Sequence, residues 1–234
     1  MKGNALKGKI MKRKNGYIAV CLIVFALCSC ASSPTRRHRT QALYGMIYDR
    51  DNRPVSNVTL YVNDKPMASS DIHGRFIIPS LWPRQEYKIT AKKENYETIR
   101  MDISFSDPSY VLYMRIFSSD QLLAEAEEAL KERNWDRTES LLIRSRNAGG
   151  SSTSIQFLQG ILLFYQEKYP QALEILSELG EREKTSPYLY LFMADICQYY
   201  LHEPLNAAQH LDKFLRLQFD PLIRQRRDEL LSGD

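Results

Sequence analysis

The sequence lacks most of the patterns that would name a chemistry. It has four cysteines in 234 residues, and three of them, Cys21, Cys28 and Cys30, fall in the first 30. No further Cys or His stands at metal-ligand spacing, so neither a thiolate metal site nor a disulfide framework is written into the body of the chain. No H-E-x-x-H occurs, nor a Gly-rich phosphate loop, a Ser-His-Asp order or paired acids on a cleft. Asp71-x-His73 is half a metal site at most, has no third ligand nearby, and reads as a turn. Catalytic residues, metal and cofactor are therefore not expected. An apolar run of about 20 residues, the length that spans a bilayer, is also missing. "IAVCLIVFAL" runs for ten residues, from Ile18 to Leu27.

The flanks of that run are informative. "MKGNALKGKIMKRKNGY" carries six Lys/Arg and no acid before it. A basic head, a short apolar stretch and small residues make a secretory signal peptide. Leu27-Cys28-Ser29-Cys30 resembles the lipobox of bacterial lipoproteins: an aliphatic residue, two small residues, then Cys. The resemblance implies that residues 1–29 are removed, taking Cys21 and Cys28 with them. It also implies lipid on the sulfur and the new amino group of Cys30. The start is Met1 or Met11, the latter leaving a signal of ordinary length. In that family an Asp after the Cys keeps many such proteins in the inner membrane. Ala31 therefore implies the bacterial cell envelope, with the outer membrane ahead of the inner.

Removing the signal changes the electrostatics. The whole chain has 32 basic and 28 acidic residues, and six bases and no acids lie in residues 1–29, which leaves 26 against 28, a net of −2. The basic pI near 8.8 thus belongs to the signal and gives no reason to expect nucleic acid. In the tether, residues 30–41, Arg36-Arg37-His38-Arg39 either rests on anionic headgroups, at about 1 kcal/mol per base, or is a solvated spacer. Cys197 sits in the apolar "LYLFMADICQYYL" and reads as a small hydrophobe, as most buried free cysteines do.

From about 42 to 117 the pattern is β. "ALYGMIYD", "VTLYV", "FIIP", "YKITA", "TIRMDISF" and "YVLYMRI" are strand-length runs bounded by Asn, Asp, Gly and Pro, predicting about seven strands in a sandwich. Asp71 can bond its own backbone, Gly74 can take positive φ, and Phe76 then returns to the core. "GMIYDRDNRPVSNVTLYV" and "SSDIHGRFIIP" resemble the carboxypeptidase regulatory-like domains, which implies a transthyretin-like β-sandwich without catalytic residues. Asn95 stands where that family has Gly, and Asn also tolerates left-handed geometry.

At about Phe117-Ser118 the period changes from two to 3.6, so two modules that fold separately are expected. Three helical hairpins are predicted over 118–220, with a capping helix at 221–234 that starts on Pro221. Ser118 or Ser119 is the expected cap of the first helix, and Asp136 of the second. The small residues Ala126, Gly160 and Ala194 are spaced by 34 and 34, as are Trp135 and Tyr169, and Leu142 and Leu176. A 34-residue hairpin with small residues at the crossing resembles the tetratricopeptide (TPR) repeat. Three departures stand out. Thr138 replaces a small residue, the third repeat gains one residue in its turn, which shifts Ala207, Leu211 and Phe214 by one, and Glu203-Pro204 stands where the turn aromatic belongs.

In the TPR family the first helices line a concave groove, which the resemblance puts at Glu127, Leu130, Lys131 and Asn134, then Phe157, Ile161, Phe164, Tyr165 and Lys168, then Tyr188, Leu191, Asp195, Gln198, Tyr199 and His202. Of these, Tyr165, Lys168, Tyr199 and His202 are expected to be exposed, while Phe157 and Phe164 are left open between groove and core. The expected function is a lipid-anchored, non-enzymatic scaffold that binds a protein or peptide. The alternative is glycan or cell-wall binding, with Trp82, Tyr87 and Tyr96 of the sandwich stacking on sugars. The anchor is directly testable: labelled palmitate should enter the wild-type chain and not Cys30→Ser, and equal labelling of both would reject the assignment.

Overall fold

The computed structural model describes residues 39–107, 109–182 and 186–232. The signal, Cys30 and most of the tether lie outside the described residues. Residues 40–234 form one compact unit, built from strands in two sheets followed by seven described helices.

The strands are β1 (Gln41–Tyr48), β2 (Thr59–Val62), β3 (Lys65–Ser69), β4 (Arg75–Leu81), β5 (Gln85–Lys92), β6 (Ile99–Phe105) and β7 (Val111–Arg115). One sheet runs β4-β1-β7 and the other β3-β2-β5-β6. Period-two burial explains why these segments are strands. Leu43 and Ile47 of β1, Ile78 of β4 and Leu112 of β7 join Leu60 of β2, Ile89 of β5 and Phe105 of β6 in one core shared by both sheets. Gly45 lets that core close: a Cβ there would sit 2.1 Å from Phe76 Cζ and 2.6 Å from the Leu112 carbonyl oxygen.

β3 gave no signal in the sequence. Its "KPMAS" is exposed apart from half-buried Ala68, because it is a sheet edge, where Lys and Pro are tolerated. Asn63 and Asp64, with φ of 47° and 65°, make the two-residue loop that joins it to β2. In the next turn, Asp71 Oδ1 accepts the amides of His73 at 2.9 Å and Arg75 at 2.8 Å. Gly74 takes φ +73°. Desolvation opposes ionisation of Asp71, but the Arg75 amide and side chain and the His73 amide outweigh it and hold the carboxyl below its usual range.

The helices are α1 (Ser119–Lys131), α2 (Trp135–Asn147), α3 (Ser152–Tyr165), α4 (Tyr169–Gly180), α5 (Pro187–Asp195), α6 (Pro204–Leu217) and α7 (Pro221–Ser232). They pack as successive pairs, α1 with α2, α3 with α4, and α5 with α6. Ser118 and Gln121 form a capping box on α1. Asn134 rather than Asp136 caps α2, accepting the Arg137 amide at 3.2 Å, and Asp136 falls in the first turn. Ala126, Gly160 and Ala194 are all buried. The Thr138 hydroxyl, also buried, is satisfied by the Asn134 carbonyl at 2.9 Å.

The extra residue of the third repeat lies in the helix and not in the turn. The three turns have equal form, each with one left-handed residue, Arg133, Glu167 or His202, then a cap and the next helix. What differs is α5, which continues into a π-helical segment at Ile196–Tyr200. A π turn absorbs one residue within a helix, which moves Ala207 and Leu211 one place later yet leaves both fully buried.

The strand and helical cores are separate clusters, but the parts are tied where they meet. The Glu97 amide donates to the Phe117 carbonyl at 2.9 Å, and the Ser119 amide to Asn95 at 2.9 Å. Arg144 of α2 donates to the Glu97 carboxylate from two guanidinium nitrogens, Nε at 3.0 Å and Nη2 at 2.8 Å. Arg50 bridges Glu125 at 3.0 Å and Glu128 at 2.8 Å. Gln121 reaches Asp49 at 3.1 Å. For the core itself, Gly45→Ala should destabilise the chain by about 1–3 kcal/mol, the usual cost of overpacking. Phe76→Leu in the same chain should recover part of that loss in denaturant unfolding. No loss in Gly45→Ala would show that the sheets are not closed on this residue.

Candidate functional site

A groove of the helical part lies between the first helices of hairpins one and two. Leu123, Glu127, Leu130 and Lys131 of α1 face Ser154, Phe157, Leu158, Ile161 and Tyr165 of α3 across a hollow of about 520 Å³. The stripe on α3 follows a three- and four-residue spacing, as one helix face must. The α1 stripe matches it. The hollow has an apolar floor, with Glu127 and Lys131 supplying opposite charges at its wall. Phe157 is 42% exposed and lines it.

Phe164 has the opposite fate. Its ring packs against Phe192 at 5.2 Å and Tyr200 at 5.0 Å, so it joins hairpins two and three. Tyr165 stands between the two roles. Its ring stacks on Trp135 at 6.0 Å with 13° between planes, yet it remains half exposed. The Trp135 contact holds the ring at the mouth of the groove and reduces the rotamer freedom that a partner would otherwise have to freeze.

Lys168 is not part of this groove. Glu167 leaves the helix with φ +62°, so the helical phase of α3 is lost before residue 168. Lys168 instead lines a smaller hollow of about 250 Å³ with Glu139, Leu142, Ile143, Arg146 and Gln159, between α2 and α3. Its ammonium donates to Gln166 at 2.9 Å. Asn134, the cap of α2, is likewise outside the groove lining.

The third hairpin presents its residues to α7. Arg226 of α7 pairs with Asp195 at 2.7 Å, donates to Gln198 at 2.8 Å, and lies 5.3 Å from the Tyr199 ring centre. Tyr188 packs edge-on to Phe214 at 6.1 Å and stays exposed. Leu191 is half buried in the core, and His202 is exposed at its left-handed turn. The structure therefore brings Glu127, Leu130, Lys131, Phe157, Ile161 and Tyr165 together. It sets Asp195, Gln198 and Tyr199 apart against Arg226. Leu123, Ser154 and Leu158 were missed, although each sits one helical turn from a residue that was named.

The aromatic platform expected on the sheets does not form. Tyr87 is buried, and its hydroxyl bonds the Trp82 amide at 2.7 Å. Tyr96 is half buried against the core, with the Lys93 ammonium 4.7 Å from its ring. Only Trp82 is open to solvent. Cys197 is buried, and burial first, Glu203 second, pushes its thiol up to about 11, so it is a protonated packing residue at neutral pH. Among the described residues no three His, Cys, Asp or Glu side chains stand together as a metal site.

No family model matches the chain, and no curated protein matches it. Among solved structures, a chain of a CopN-Scc3 complex is similar over 49% of this chain and 68% of its own, at 18% identity and a TM-score of 0.38. A chain from work on the Caf1A usher C-terminal domain and F1 antigen assembly is similar over 33% of this chain and 94% of its own, at 13% identity and a TM-score of 0.24. Neither likeness is close enough to bear on function.

Proposed function

We propose that the protein is a non-enzymatic, lipid-anchored protein of the bacterial envelope that holds a protein or peptide partner in the groove between α1 and α3. On this reading the helical part is a TPR-like array, the strand part is a carboxypeptidase regulatory-like sandwich that carries it, and Cys30 is the anchor. The observation that carries the reading is the groove itself, an apolar channel with exposed Phe157 and a Tyr165 ring braced by Trp135. Exposed aromatic anchors beside mixed charge suit a peptide, whose apolar residues fill the floor while its charges meet Glu127 and Lys131. The 34-residue spacing of Ala126, Gly160 and Ala194 supports the repeat assignment. The outer membrane remains the favoured site, on Ala31.

A photo-crosslinking residue at Phe157 should capture the partner in the native envelope, and one at Ile143, exposed on α2, should not. Phe157→Ala with Tyr165→Ala should then weaken capture at least about tenfold, equivalent to 1.4 kcal/mol, with the thermal midpoint nearly unchanged. Undiminished capture by a folded double variant would remove the groove from the account.

A further inference from the structure

The outward face of the β4-β1-β7 sheet carries apolar side chains that the groove does not use. Register places Ile77, Tyr44 and Val111 in one row and Arg75, Met46 and Tyr113 in the next. Tyr44, Ile77 and Tyr113 are 49%, 52% and 64% exposed. Beside them is an open hollow of about 690 Å³ bounded by Tyr44, Met46, Ile77 and Val111, with Asp71 and Arg75 at its rim. The charged groups here already have partners: Asp71 with Arg75 at 2.9 Å, and Arg115 with Asn52 at 2.7 Å. Beyond the Tyr44 and Tyr113 hydroxyls, the face offers rings, a thioether and aliphatic carbon, and few of the donors and acceptors that a sugar needs.

We propose that this face rests on the lipid surface of the membrane that holds the chain. The proposal builds on the Cys30 anchor. Only eleven peptide steps separate Cys30 from Gln41, where β1 begins. Fully extended, they span at most about 40 Å. Among the described residues β1 is thus the first element after the anchor, and it carries Tyr44 and Met46. A short tether also gives the membrane a high effective concentration at this face, so a shallow patch with little affinity of its own is enough.

The chemistry fits an interface. Tyrosine rings settle at headgroup depth. Aliphatic and Met side chains reach the acyl boundary, and arginines keep their charge among the phosphates while laying their stems on apolar surface. Arg115, whose partner is the uncharged Asn52, flanks the face, and Arg36, Arg37 and Arg39 lie along the tether in sequence, which adds attraction to anionic lipid. Among the described residues no helix is long and apolar enough to cross a membrane.

The test installs the anchor chemically. The chain from Cys30 onward is coupled through that thiol to a maleimide lipid in phosphatidylethanolamine–phosphatidylglycerol vesicles. Buried Cys197, with its thiol pushed up to about 11, does not compete. Hydroxyl-radical oxidation of Tyr44 and Tyr113 should fall at least about threefold relative to the uncoupled chain, as expected for rings withdrawn into the headgroup layer, while Tyr188 is unchanged. Equal oxidation with and without the vesicle overturns the proposal. Protection that appears without vesicles and grows with protein concentration also overturns it, and assigns the face to a second copy. Failure of the natural anchor would show separately, as missing palmitate on Cys30, and would leave this readout intact.

Discussion

The helical part depends on how the chain leaves the sheets. At residues 95–97 and 117–119 two backbone hydrogen bonds join the loop between β5 and β6 to the segment that leads into α1. Arg144 then clamps Glu97 from α2, and its guanidinium lies 5.5 Å from the Phe117 ring. The carboxylates are well sheltered: the Glu97 side chain is 13% exposed and that of Glu125 12%. Sheltered charges with good partners cannot be left alone cheaply, because removing one partner strands the other in a poorly solvated place. Surface ion pairs would contribute little here. These pairs, with the backbone ladder and the Ser118 capping box, make the direction of α1 a property of the sheets.

Once α1 is set, close helix crossings set the groove. Gly160 lets α3 lie against Leu176 of α4, since a Cβ there would come within 2.6 Å of that side chain. The width between α1 and α3 is then fixed by Leu123, Leu130, Leu158 and Ile161. Beyond the second hairpin the π-helical segment at Ile196–Tyr200 changes the phase. Tyr199 and Gln198 turn toward Arg226 of α7, while Tyr200 turns toward Phe164 and Tyr169. The groove therefore belongs to two hairpins, and the third closes the array.

Much of this was legible where physics is local. Alternation located six of the seven strands, Asp71 accepts the turn amides its side chain can reach, and Gly74 and Asn95 take the left-handed geometry that Gly and Asn tolerate. The 34-residue spacing located the hairpins. What stayed hidden required contacts between distant segments. β3 has no apolar pattern because it is an edge. The π turn leaves the same one-residue offset in the sequence as a longer loop would. Tyr87 and Trp82 look alike as exposed aromatics, and only the packing of β5 shows that one is core. Lys168 follows Tyr165 at helical spacing, and only the left-handed Glu167 between them takes it off that face. The junction pairs, Arg50 with Glu125 and Glu97 with Arg144, join residues far apart in the chain and leave no mark in either segment alone.

The junction makes strands and helices one cooperative body despite their separate cores. Scanning calorimetry of residues 40–234 should therefore show a single transition whose calorimetric and van't Hoff enthalpies agree, the mark of all-or-none unfolding. Two resolved transitions, one β-rich and one helical by circular dichroism, would mean that the junction does not couple the two parts.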